Sequence, residues 1–215
     1  MPASRWSVPR RWPGATIVCA ASGPSLAAPQ LARVRGRWPV IVVNDSWRLA
    51  PWADVLYAAD WRWWRKHTGV PAFRGLKVTI ANGHGAPLPW PEIKVLENTG
   101  IEGFERAPGG LRTGRNGGYQ AINLAVHLGA ARVVLLGYDM KPSADGRTHW
   151  FGDHEEWPTR PAIYRDVFLP HFDGLARALD EAGIAVVNCT PDSALDVFAK
   201  APLAAVLADR LQPAA

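Results

Sequence analysis

Leu111-Arg-Thr-Gly-Arg-Asn-Gly-Gly-Tyr-Gln-Ala-Ile-Asn-Leu-Ala-Val-His-Leu-Gly129, followed by Arg132-Val-Val-Leu-Leu-Gly-Tyr-Asp139, is the stretch that decides how this chain folds. A polar loop with glycines at 114, 117 and 118 opens a helix over residues 116–128. A buried strand over 131–137 then brings Tyr138 and Asp139 to its carboxyl end. Glycine removes side chains where backbone N–H groups could meet a ligand. A helix N-terminus also carries partial positive charge and unpaired donors. Such a junction favours a phosphate or carboxylate. Open α/β sheets bind ligands at the carboxyl ends of their strands, which is where this unit puts its polar groups. The stretch predicts an α/β fold with a site for a nucleotide or another anionic small molecule.

Working outward, residues 15–21, 40–44 and 53–59 are short apolar runs with β-branched residues, the signature of strands buried on both faces. Leu76–Ile80 is a weaker fourth strand and residues 184–188 the last clear one. Residues 27–34 have helical composition. Residues 164–182 form a helix with Phe168, Phe172, Leu175 and Leu179 on one face, closed by Gly183 at the left-handed position. Residues 194–211 read as mostly helical. Residues 81–112 and 141–159 read as long irregular segments, of the kind that serve as lids or binding loops. Strands alternating with helices predict one Rossmann-like domain over residues 15–211, with a mostly parallel sheet and helices on both faces. The irregular arm before it, residues 1–14, holds three arginines, two tryptophans and three prolines, and lacks the apolar core of a signal peptide. The G-x-G-x-x-G fingerprint is absent, which argues against a hydride-transfer enzyme with a standard NAD site.

The 215 residues are 48% hydrophobic and 20% charged, ordinary values for a soluble domain. No apolar run approaches the roughly 20 residues of a membrane span, so the cytoplasm is the expected location. The two cysteines, Cys19 and Cys189, sit in apolar runs and read as buried free thiols. A net charge of +5 favours anionic partners without choosing among nucleotide phosphates, nucleic acid and acidic glycans. Trp61, Trp63 and Trp64 alternate with Arg62, Arg65 and Lys66. The cluster reads as a helix whose aromatics pack on the sheet, with a stacking platform for nucleic acid as the alternative.

Four strand ends carry short polar side chains: Ser22 and Ser25, Asn44 and Asp45, Asp60, and Asn188 with Thr190. Such residues often cap helices, but a parallel sheet gathers its strand ends along one edge. There they could bond a ribose, a base edge or a phosphate. With Thr113, Gly114, Asn116, Gly117, Gly118 and Asp139 they form the expected binding set. His149 and His154 lie in a segment dense in charge, with Asp153, Glu155 and Glu156. Either imidazole suits removal of a hydroxyl proton near neutral pH. Their spacing matches no zinc signature, and no metal site is expected.

Together these motifs resemble the bacterial lipooligosaccharide sialyltransferases and the related MptE-like 6-hydroxymethylpterin diphosphokinases. Ala21-Ser-Gly-Pro-Ser-Leu26 is similar to their G-N-G-P-S-L opening, Val43-Asn44 to a C-N pair, and Thr113-Gly-Arg-Asn-Gly-Gly118 to a T-S-G loop. Gly137-Tyr-Asp139 resembles G-I-D, His149-Trp-Phe-Gly-Asp-His154 resembles H-Y-I-G-H with one residue more, and Asn188-Cys-Thr-Pro-Asp-Ser-Ala-Leu195 resembles C-x-C-P-N-S-L. The shared order covers most of residues 15–200 and also resembles small phage- and prophage-encoded proteins. The resemblance implies that Ser22, Gly23, Ser25, Asn44 and the 113–118 loop hold a cytidine nucleotide. It also implies that the general base is His154, with His149 the candidate if the extra Asp153 shifts the register. Tyr164 is the candidate to stabilise the leaving phosphate.

Three readings follow. The first is a transferase using an activated nucleotide donor, most plausibly a nucleotide sugar, on a glycan or a modified DNA base, with no resident cofactor. The second is a diphosphokinase of the pterin type, requiring Mg²⁺ held by Asp60 and Asp139. The third is a non-catalytic phage accessory protein that binds nucleotides or nucleic acid.

Overall fold

Residues 6–81, 88–154, 156 and 158–209 are described by the computed structural model. The apolar runs form strands: β1 (Ala15–Ala20), β2 (Val40–Val43), β3 (Val55–Tyr57), β4 (Leu76–Ile80), β7 (Ala130–Leu136) and β8 (Ala185–Asn188). Three more strands, β5 (Ile93–Asn98), β6 (Gly110–Leu111) and β9 (Ala199–Lys200), complete a nine-stranded sheet in the order β6-β5-β4-β3-β2-β1-β7-β8-β9. Every pairing is parallel. This is a Rossmann-like α/β architecture, with the chain reversing direction across the sheet between β1 and β7.

Successive side chains of a strand point to opposite faces, and here each face has its own helical layer. Ile17, Cys19, Ile41, Val43, Val133 and Leu135 pack under α3 (Gly117–Leu128) and α4 (Leu169–Glu181). Val18, Ala20, Val40, Val42, Val134 and Leu136 pack under α1 (Ala28–Val34), α2 (Trp61–Lys66) and α5 (Leu203–Ala208). Helices therefore cover both faces. Helix α3 buries nearly its whole circumference, because α4 and the 104–112 segment cover the side turned away from the sheet. Within that layer Asn123 accepts from the N–H groups of Glu105 and Arg112.

Three expectations need correction. The segment 81–112 is not irregular throughout, since β5 and β6 lie within it; residues 82–87 fall outside the described set. Strand β5 was hidden because only Ile93 and Leu96 of its six residues are buried, so no continuous apolar run marks it. Of the 194–211 segment, the described residues 194–209 are helical only over α5, because Pro202 fixes φ at the helix start and the preceding residues pair as β9. The expected helix from 164 begins instead with a wide π-type turn, Tyr164–Phe168, before α4. The described part of the arm is irregular but held to the body, with the Val8 N–H donating to Pro108 and the Trp12 N–H to Leu128.

Candidate active site

Strands β1 and β7 end side by side, and their loops are laced together. The Gly23 N–H donates to the Gly137 carbonyl at 2.9 Å. Asp139 accepts from the Ser25 N–H at 3.1 Å and from the Ser25 hydroxyl at 3.0 Å. A Cβ on Gly23 would fall 2.0 Å from Asp139 Oδ2 and 2.4 Å from the Gly137 oxygen, so only glycine permits this approach. Burial raises the Asp139 carboxyl above its ordinary value, against the two Ser25 hydrogen bonds that favour the anion.

Past β2 the chain makes a 3-10 turn, Asn44–Arg48, entered through Asn44 at φ +49°. Asn44 faces the space above β1, and its carboxamide has no hydrogen-bond partner among the described residues. Asp45 points the other way and accepts from the Trp63 indole at 2.8 Å. Trp63 and Trp64 are buried under the sheet, and the Trp64 indole donates to the Ala58 carbonyl. These two rings are core. The stacking-platform alternative is thereby removed for them.

Helix α3 begins over the same space. Asn116 caps it by accepting the Tyr119 N–H at 3.1 Å. The N–H groups of Gly117 and Gly118 have no acceptor among the described residues, as first-turn donors commonly lack one. Gly118 also lets the Tyr138 ring pass, since a Cβ there would lie 2.8 Å from it.

The loop after β7 brings the histidines across. The Trp150 N–H donates to the Ser22 carbonyl at 3.1 Å, and the Tyr164 hydroxyl donates to the Thr148 carbonyl at 2.9 Å. His149 and Gly152 bridge through two backbone hydrogen bonds. The His149 and His154 rings lie 5.1 Å apart, and Phe151 stacks on His149 at 5.0 Å. Burial, reinforced by the neighbouring His154, pushes His149 down to about 4 despite the acidic neighbours, so it is neutral near pH 7. Asp153 is raised by burial, but N–H bonds from Thr159 and His154 outweigh that and leave it below the usual carboxylate range.

The result is one cleft of about 620 Å³ at the carboxyl ends of the central strands. Ser22, Gly23, Asn44, Asp60, Asn116, Gly117, Gly118, His149 and His154 all line it, with Arg115, Lys141, Arg160 and Tyr164 around them. Sequence reasoning did not single out Arg115, Lys141 or Arg160. Their positive charge over the cleft could be found only from the folded loops.

The other expected binding residues lie outside the cleft lining. Ser25 and Asp139 engage each other. The Thr113 carbonyl accepts from the Gln120 amide, and Gly114 sits beneath the Tyr119 ring. Asn188 donates to Ser193 and Leu195, and the Thr190 hydroxyl accepts the Tyr138 N–H. Asn188 and Thr190 border a separate groove beside α5 of about 480 Å³. Even the Ser22 hydroxyl turns inward, to the Val43 carbonyl at 3.0 Å and Ser46 at 3.1 Å. Asp60 caps α2 and pairs with Arg62 at 2.6 Å. Of the two carboxylates named for Mg²⁺ in the second reading, Asp60 lines the cleft and pairs with Arg62, whereas Asp139 is turned onto Ser25 outside the lining. Cys19 and Cys189 are buried free thiols, as expected.

The His149 environment has a consequence for stability. A histidine whose folded value is lowered contributes stability that is present above its unfolded value near 6.5 and lost as pH falls toward about 4. A shift of that size corresponds to at most roughly 3 kcal/mol. Urea unfolding of the His149→Gln variant should therefore show a shallower loss between pH 6.5 and 4 than the parent. His67 and His127, both lowered chiefly by burial, add slope of the same sign that remains in the variant. Identical slopes in the two proteins would refute the buried, neutral assignment.

Fold and cleft together define a Rossmann-like α/β protein with a polar, glycine-walled cleft at its topological switch point. No protein-family model matches the chain, and no curated protein matches its sequence. Among solved structures it is similar to the sialyltransferase CstII from Campylobacter jejuni, in a complex with a substrate analogue, cytidine-5'-monophosphate. The TM-score is 0.53 at 12% identity, over 89% of this chain and 87% of that one. At this identity the likeness is one of fold. No helix among the described residues is long and apolar enough to cross a membrane.

Proposed function

We propose that the protein is a transferase acting on an activated nucleotide donor, most simply a nucleotide sugar. The observation that carries this reading is convergence. Ser22, Asn44, the start of α3 and His154 come from four distant parts of the chain and line the same cleft. The donor phosphate takes the Gly117 and Gly118 N–H groups at the positive end of α3. The Asn44 carboxamide bonds the ribose or base. Arg115 and Arg160 add positive charge, and Lys141, held by Asp192 at 2.8 Å, stands at the rim. His154 takes the acceptor's hydroxyl proton while that oxygen attacks the anomeric carbon, and the bond from that carbon to the phosphate oxygen breaks. His149 is the poorer base, since its lowered value leaves it weakly basic. The Tyr164 hydroxyl is bonded to Thr148, which favours a bracing role for it over contact with the phosphate.

The similarity to a sialyltransferase bound to cytidine-5'-monophosphate supports trying that nucleotide first. Glycans and modified DNA bases are both acceptors to screen, the second following from the resemblance to phage proteins. The diphosphokinase reading is less favoured because Asp139 is turned onto Ser25. The accessory-protein reading loses the buried Trp63 and Trp64 from its support.

The test is a thermal-shift titration with cytidine, uridine, adenosine and guanosine monophosphates and their sugar conjugates, with and without EDTA. A ligand at a hundred times its dissociation constant stabilises by about 2.7 kcal/mol. For a chain of this length that raises Tm by roughly 5–10 °C. Saturable stabilisation by one nucleotide series, insensitive to EDTA, is expected. No shift with any nucleotide would overturn the reading, and a shift seen only with Mg²⁺ would favour the diphosphokinase.

A further inference from the structure

Three cleft-forming segments meet on Trp150 and Ser46, and neither side chain lines the cleft itself. Ser46 is fully buried in the turn after β2. Its hydroxyl donates to the Ala21 carbonyl at 2.9 Å, contacts the Ser22 hydroxyl at 3.1 Å and accepts the Trp150 indole N–H at 3.3 Å. With its one proton given to Ala21, the hydroxyl can meet the indole N–H only as an acceptor, which fixes the direction of that bond. Trp150 is gripped a second time through its backbone N–H, which donates to Ser22, and a third time by the Arg48 guanidinium 5.7 Å over its ring. Arg48 belongs to the same turn as Ser46 and Asn44.

We propose that Ser46 and Trp150 are positioning residues: a latch, buried at Ser46 and half-buried at Trp150, that fixes the histidine loop against the nucleotide-facing turns after β1 and β2. His149 precedes Trp150 directly, and His154 follows four residues later with its ring against Phe151 and His149. A loop with no regular structure of its own would otherwise leave His154 to sample many positions. Small misplacements of a base cost rate steeply, because proton transfer requires hydrogen-bond reach. The latch acts on geometry, so it should affect turnover more than donor affinity.

Trp150→Phe removes the indole donor while keeping an aromatic ring and the backbone bond to Ser22. In this variant, amide hydrogen exchange across residues 148–154 should rise by about tenfold, the scale of one lost hydrogen bond, with exchange in α3 unchanged. With Ser46→Ala the pair forms a double-mutant cycle, and the double variant should exchange no faster than either single one. If Ser46→Ala fails to fold, Trp150→Phe alone decides through its exchange pattern. Unchanged exchange at 148–154, a rise spread over the whole chain, or fully multiplicative effects would each overturn the latch. The kinetic arm rests on the transferase reading: kcat should fall about tenfold with the donor KM unchanged. A raised KM at constant kcat would refute the positioning role. If no donor is turned over at all, the transferase reading falls, and hydrogen exchange still judges the latch by itself.

Discussion

Replacing His154 by alanine should lower the transfer rate by about 10²–10⁴-fold, the usual contribution of a general base, and leave nucleotide affinity unchanged. The asymmetry follows from where the ring sits. Donor contacts are assigned to Asn44, Gly117 and Gly118, whereas His154 reaches the cleft from the loop after β7, with its ring against His149 and Phe151. His149→Ala should cost less chemistry, because that ring is neutral and weakly basic, but it should loosen the loop by removing the stack on Phe151. Single-turnover kinetics and calorimetric titration with the same nucleotide separate the two effects. Full turnover in the His154 variant would remove the base assignment.

The largest effect on stability is expected from Gly23→Ala. The added methyl would sit 2.0 Å from Asp139 Oδ2 and 2.4 Å from the Gly137 carbonyl oxygen. Neither neighbour can yield cheaply, since Asp139 is tied to Ser25 and the Gly137 carbonyl already accepts the Gly23 N–H. Overpacking of this kind costs about 3 kcal/mol. For a chain of this length the melting point should then drop by roughly 6–12 °C. Gly174→Ala in α4 provides the opposite sign. Its nearest neighbour is 3.7 Å away, and helix propensity alone should stabilise it by about 1 kcal/mol. Scanning calorimetry on both variants checks the pair. A Gly23→Ala protein as stable as the parent would mean that the two loops are not laced as described.

The strands that were legible in the sequence are those buried on both faces. In β2 and in the last four residues of β1 and of β7 every side chain is buried under a helical layer on one face or the other, so composition carries the signal without any period. Strand β5 lies toward the sheet edge with Val95 45% exposed, and its mixed pattern was indistinguishable from a loop. The site divided in the same way. Asn44, Gly117 and Gly118 were singled out from a strand end and a helix start, and His154 from a charge-dense loop; all four line one cleft. Ser25, Asp139, Asn188 and Thr190 carry the same chemistry at the same kind of position, yet their hydrogen bonds are spent within and between the loops.

By itself the amino-acid order determined which segments pair as buried strands, where α3 begins and that polar groups follow the strand ends, because backbone preference and burial act over a few residues. Tertiary structure decided which of those polar groups remain available to a ligand. That outcome depends on the neighbours each loop meets across the sheet. Asp139 meets Ser25 and is closed off. The Asn44 carboxamide, one strand further along, has no hydrogen-bond partner among the described residues and faces the cleft.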